Sequence, residues 1–117
     1  MANELNLRIN FTHTKNNAIA QRNIQALFNV TGNAVVQSVQ SIATTDTTLV
    51  LGDVSTIGFF YFHNLDPINY IIIGSDGTLY PNKVKPGEFG MVRWNAAAIH
   101  AKANAAACLL EYILIPD

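Results

Sequence analysis

The side chains that could carry chemistry are few here and far apart. Asp53, His63, Asp66 and Asp76 are the nearest approach to a metal or acid–base set. Their spacing fits no zinc pattern, and the single cysteine, Cys108, has no second thiolate. A calcium loop needs oxygen ligands at alternate positions and a closing Glu, but "NLDPINY" puts Pro67 and Ile68 at those places. Asp53, Asp66 and Asp76 each stand close to a Gly or Pro, where a carboxylate satisfies turn backbone. His13, His63 and His100 are widely separated and no nucleophile elbow accompanies them. "GSDGT" lacks the length and the Lys of a phosphate loop. Cys108 stands among Ala106, Ala107 and Leu109 and reads as a small hydrophobe rather than an activated thiol. Tyr61, Tyr80, Arg93 and Trp94 are the types that build a sugar platform, and equally the types that anchor a core or an interface. The expectation is a protein that is not an enzyme, with no catalytic residue, metal or cofactor.

Composition points the same way. Half of the 117 residues are hydrophobic and 13% are charged, against about 25% charged in ordinary soluble domains. Asn, Thr, Ser and Gln do much of the solvating, and a surface of that kind loses little charge hydration when a partner covers it. The seven Lys and Arg are scattered and the net charge is −1, which argues against nucleic acid as a partner. Apolar runs such as Tyr70–Ile73 are far too short for a membrane span. The opening "MANELNLRIN" lacks the basic and apolar regions of a signal peptide.

The elements that must position these residues read as strands. Leu5, Leu7, Ile9 and Phe11 alternate with Asn6, Arg8, Asn10 and Thr12, the period of a half-buried strand. "THTKNN" reads as a loop, and Ile24, Ala26, Phe28 and Val30 share the face of a second strand. "AVVQSVQSIA", "TLVLGDV", "IGFFYFHNL", "NYIIIGS", "KVKPGEFGMVRW" and "ACLLEYILIPD" continue the series. Asp76-Gly77 predicts a tight hairpin turn, and Pro86-Gly87 a type II turn. Turn signals every 8–12 residues predict an all-β chain. The fold expected is a single-domain antiparallel β-sandwich over residues 1–117, jelly-roll-like, with eight to nine short strands and residues 1–12 as an N-terminal arm strand.

Several strands are apolar on both sides. Phe59, Tyr61 and Leu65 oppose Phe60 and Phe62; Leu109, Ile113 and Ile115 oppose Leu110, Tyr112 and Leu114. A two-layer sandwich has one interior, so a second subunit is expected over the other face. The self-association surface is expected at Phe60, Phe62, Trp94, Leu110 and Tyr112. The contact with another partner is expected along Leu5, Leu7, Ile9 and Phe11.

The last 70 residues or so carry a resemblance. Leu51–Val54, Asn64–Asp66, Asn69–Tyr70, Gly74, Tyr80–Glu88, Arg93, Ala101–Asn104 and Cys108–Tyr112 together resemble small virion proteins of tailed bacteriophages. Pro67-Ile68 departs from that pattern. The resemblance implies a virion component, made in the host cytoplasm. Joined to the charge-poor, self-associating body, it implies a homotrimeric capsid decoration (cement) protein bound to the major capsid protein. A tail adaptor, baseplate piece or fibre domain is the alternative, and a glycan-binding module the third.

Overall fold

The computed structural model describes residues 3–117, so the first two positions of the expected arm lie outside the described residues. The described chain is all β: β1 (Leu5–Lys15), β2 (Ala18–Phe28), β3 (Val36–Ile42), β4 (Thr47–Thr48), β5 (Ile57–Asn64), β6 (Ile71–Gly74), β7 (Asn82–Val84), β8 (Phe89–Arg93), β9 (His100–Ala103) and β10 (Cys108–Pro116). They form three antiparallel sheets, β1-β2, β3-β10-β5-β8 and β4-β9-β6-β7. The chain divides into two compact units, Met1–Thr31 and Gly32–Asp117.

The first unit is a hairpin. "THTKNN" is strand almost to its end, because Asn16 and Asn17 both take positive φ, 50° and 70°. Asn tolerates that region, and two such residues make the tight turn whose twist suits a ribbon. The register runs unbroken from Lys15↔Ala18 to Leu5↔Phe28. The expected arm strand is therefore half of a ribbon with a second strand of equal length.

In the second unit the strands pair as one long nested hairpin: β3 with β10, β4 with β9, β5 with β8 and β6 with β7. Two further ladders, β10 with β5 and β9 with β6, join these pairs into the two four-stranded sheets. Ile42, Phe60, Leu110, Tyr112 and Leu114 from one sheet and Ile71, Ile73, Val84, Ala101 and Ala103 from the other form a single buried cluster. Phe60 sits at its aromatic centre, 5.2 Å from the Phe62 ring and 5.4 Å edge-on from Trp94.

Turn chemistry closes the nested strands. Gly87 has φ 79° and Glu88 N donates to Lys85 O, the type II turn expected at Pro86-Gly87. Asp76-Gly77 differs from expectation. Gly77 is not among the positive-φ residues, and the Asp76 carboxylate instead accepts from Thr78 N and Leu79 N at 2.8 Å. "TLVLGDV" is strand only at its first residue, Thr48, where β4 ends, and Leu49 and Val54 enter the core from an irregular loop.

Two buried polar side chains pin these loops. Asn64, fully buried, donates through Nδ2 to Asn69 O and Val84 O, and its Oδ1 accepts from Asp66 N. The Tyr112 hydroxyl donates to Val50 O at 2.7 Å. Asn64→Leu leaves those backbone groups unpaired in an apolar site. It is expected to cost about 2–3 kcal/mol, read by urea unfolding through the single Trp94; a loss under about 0.5 kcal/mol contradicts the pinning role.

Candidate functional site

Pairing partners in the β1–β2 ribbon share a face, so its register sorts its side chains completely. Leu5, Leu7, Ile9 and Phe11 lie with Phe28, Ala26, Ile24 and Arg22. The other face pairs Asn6 with Leu27, Arg8 with Gln25, Asn10 with Asn23 and Thr12 with Gln21. The first face is thus apolar as far as Phe11 and gives way to Arg22, His13 and Lys15 toward the turn, while the other is mostly an amide ladder that also carries Leu27 and Ile19, with Gln25 Nε2 donating to Asn6 Oδ1 at 2.9 Å. Two bonds fasten the open end, Asn3 N to Asn29 Oδ1 and Val30 N to Glu4 Oε1. On the dry face Ile9, Phe11 and Ile24 remain 46%, 50% and 58% exposed. A two-stranded ribbon with an uncovered apolar face is at best marginally stable in water.

The second dry surface is the outward face of the β3-β10-β5-β8 sheet. Across the strands its rows read Val39–Glu111–His63–Phe89, Gln37–Ile113–Tyr61–Met91 and Ile115–Phe59–Arg93. Val39, Leu109 and Phe89 are more than half exposed. Glu111 is the one carboxylate within these rows. It accepts from the Tyr61 hydroxyl at 3.2 Å and faces His63 Nδ1 at 3.5 Å. Burial, then Glu111, raises the Tyr61 phenol above its ordinary range. At the far end Arg93 pairs with Asp117 and lies over the Phe59 ring. The outward face of the other large sheet is different in kind: Thr48, His100, Lys102 and Lys83 surround Ile72. A free-standing pair of sheets would wet both outer faces. Here one outer face is mostly polar, and the other carries apolar side chains in every row beside Gln37, Glu111, His63 and Arg93.

The expected self-association residues require correction. Phe60, Leu110 and Tyr112 are fully buried, and Phe62 and Trp94 pack against the same core. The alternation in β5 and β10 was read correctly, but the inward and outward sets were exchanged. Phe59, Tyr61, Ile113 and Ile115 are the outward set. The inward set is fixed by Asn64 and Cys108, which share its face and are buried with it. Leu5, Leu7, Ile9 and Phe11 do share one face, as expected.

The residues of chemical type are held in structural roles. Asp66 accepts from Ile68 N and Asn69 N, and Asp76 from its own turn. Burial, and to a lesser degree Asp66, pushes the Cys108 thiol up, away from reactivity. Trp94 donates from Nε1 to Ala98 O at 3.1 Å and borders an open cleft of about 480 Å³ with Arg93, Asn95 and Asp117. Its ring meets Phe60 at 81° and packs against the core cluster. Among the described residues no group of three or more His, Cys, Asp or Glu is placed to hold a metal ion. Among them, too, no helix is long and apolar enough to cross a membrane.

One cluster escapes sequence reasoning. Asp46, in the β3–β4 loop, accepts from the Tyr80 hydroxyl at 2.5 Å and lies 3.0 Å from His100 Nδ1. Tyr80 lies 34 residues from Asp46 and His100 lies 54 away, so no local pattern could announce it. The Tyr80 and His100 contacts hold the Asp46 carboxyl below its ordinary range. In return Asp46 pushes the Tyr80 phenol up to about 12. The cluster staples the β3–β4 loop to the β6–β7 turn and to β9.

That staple has a pH signature. A phenol whose folded pKa is raised contributes stability that is present below about pH 10 and is lost as pH rises through about 12. Asp46, depressed when folded, acts in the opposite sense: its share is present above the ordinary carboxyl pKa of 3.8 and is lost as pH falls through its lower folded value. Alkaline titration by tyrosinate absorbance should show Tyr80 ionising near 12, and Asp46→Asn should return one phenol toward 10. An unchanged titration in that variant contradicts the contact.

Compared with protein families, with characterised proteins and with solved structures, the chain matches none.

Proposed function

We propose that this chain is a structural subunit of a tailed-phage particle, a homotrimeric decoration protein that rides on the capsid surface and bridges neighbouring major capsid subunits. The observation that carries this reading is the pair of dry faces on so lightly charged a chain. One lies on the β1–β2 ribbon and the other on the β3-β10-β5-β8 sheet. Surfaces of that kind are built to be covered. The resemblance of Leu51–Tyr112 to small phage virion proteins supplies the setting. The nested strand order, with first pairing last through four pairs, supports a jelly-roll reading of the β-sandwich formed by residues 32–117. Jelly rolls are common in viral shells, although a fold alone does not assign a task.

The mechanism is linkage. A subunit that binds only the assembled shell lowers the free energy of that state and so resists its separation. Each monomer's contact can be weak. Three joined copies on three equivalent sites gain about 10²–10⁴ in avidity. No covalent step is needed, and neither a cofactor, nucleic acid nor membrane takes part. Arg93, Trp94 and Tyr80 serve the fold in this reading, through Asp117, Ala98 and Asp46.

Electron microscopy of the whole particle, with the chain counted on it, is the test. Hundreds of copies at three-fold positions of the shell support the proposal. A few to a dozen or so on the tail assign it to a tail component instead. Glycan binding that depends on Trp94 or Tyr80 makes it an attachment module and overturns it.

A further inference from the structure

We propose that the dry face of the β1–β2 ribbon in one copy covers the outward face of the β3-β10-β5-β8 sheet in a second copy. This rests on the self-association half of the reading above and needs no shell, so it can fail while the chain still proves to be a virion component.

Charge selects this pairing over the others. Residues 1–31 hold Arg8, Lys15 and Arg22 against Glu4, a net +2. Residues 32–117 hold four Lys and Arg against seven Asp and Glu, a net −3. Together these give the whole-chain −1. Ribbon against ribbon sets +2 on +2, and sheet unit against sheet unit sets −3 on −3. Ribbon against sheet unit is the attractive combination. Within the two faces the local charges are few, because Arg93 on the sheet is already paired with Asp117. Arg22 stands opposite Phe11 on the ribbon's dry face. Glu111 is flanked by Val39 and His63 in one row of the sheet's face.

Stoichiometry agrees. Every copy brings one ribbon face and one sheet face, so head-to-tail contacts repeat from copy to copy and use both faces of each. Eleven residues at about 3.3 Å and two strands at about 4.8 Å give a footprint of roughly 350 Å². That is under half of the roughly 800 Å² per partner of a standard interface, so a single contact is weak, and an oligomer held this way draws on the contacts each copy makes through both faces. The contact assigns Leu5, Leu7, Ile9 and Phe11 to a sister copy rather than to another protein.

The test mixes two variants of the full chain, Ile24→Asp on the ribbon and Val39→Asp on the sheet. Both side chains are more than half exposed, so the fold has little to lose. Phe11→Asp and Phe89→Asp form a second pair should either of the first fail to fold by circular dichroism. Sedimentation velocity should show an oligomer for the parent chain and at least a tenfold weaker association for each variant alone. An equimolar mixture should regain a two-chain species, because one intact ribbon then meets one intact sheet. If Val39→Asp dissociates while Ile24→Asp does not, sheets pair with sheets and the proposal is wrong. The reverse result means ribbon on ribbon and is equally fatal. So is a parent chain that stays monomeric at every concentration, or a mixture that stays monomeric.

Discussion

A pair of strands has two faces and no inside. That constraint governs the chain from its first strand onward. Alternation gathers Leu5, Leu7, Ile9, Phe11, Ile24 and Phe28 on one side of the β1–β2 ribbon, and among the described residues no further strand pairs with that ribbon. The Asn16-Asn17 turn and the Asn3 and Glu4 bonds fix its shape at both ends. They supply geometry, not burial. Backbone pairing alone leaves such a ribbon near the edge of stability, so its order must come from apolar contact with something else.

Residues 32–117 show the contrast. There the nested pairing encloses a core centred on Phe60, Tyr112 and Leu110, and the polar groups drawn inside are fully answered. Asn64 binds three backbone groups, and Tyr112 ties β10 to the loop at Val50. The two sheets then meet solvent unequally. Lys83, Lys102 and His100 wet one outer face, while Tyr61, Ile113 and Met91 form the middle row of the other. A chain that builds a complete core and still leaves a second greasy sheet face has a surplus of apolar surface. In the proposed role as a cement protein that surplus is useful, because it makes joining copies favourable before the shell adds its own contacts.

Much of this was legible in the sequence, and the limits are physical. Period-two alternation announced β1, β2, β5 and β10, and Pro86-Gly87 announced its turn, because each signal is local. Alternation cannot say which of two apolar sets faces inward; that depends on which sheet lies opposite, and so Phe60 and Tyr112 were exchanged with Tyr61 and Ile113. Leu49 and Val54 look like strand residues, yet they reach the core from a loop, since burial does not require a ladder. Lys15-Asn16-Asn17 looks like open loop because a two-residue turn of Asn is polar in composition while strict in geometry. The Asp46–Tyr80–His100 staple joins three separate stretches of chain and leaves no local trace.

Amide hydrogen exchange across a concentration series tests the central claim most directly. If the ribbon is ordered by a sister copy, the amides of β1 and β2 exchange rapidly in dilute protein. They become protected as association rises, while those of β5 and β10 stay protected throughout. Protection of the ribbon that is already as strong as that of β5 in dilute monomer, and does not change with concentration, contradicts the account.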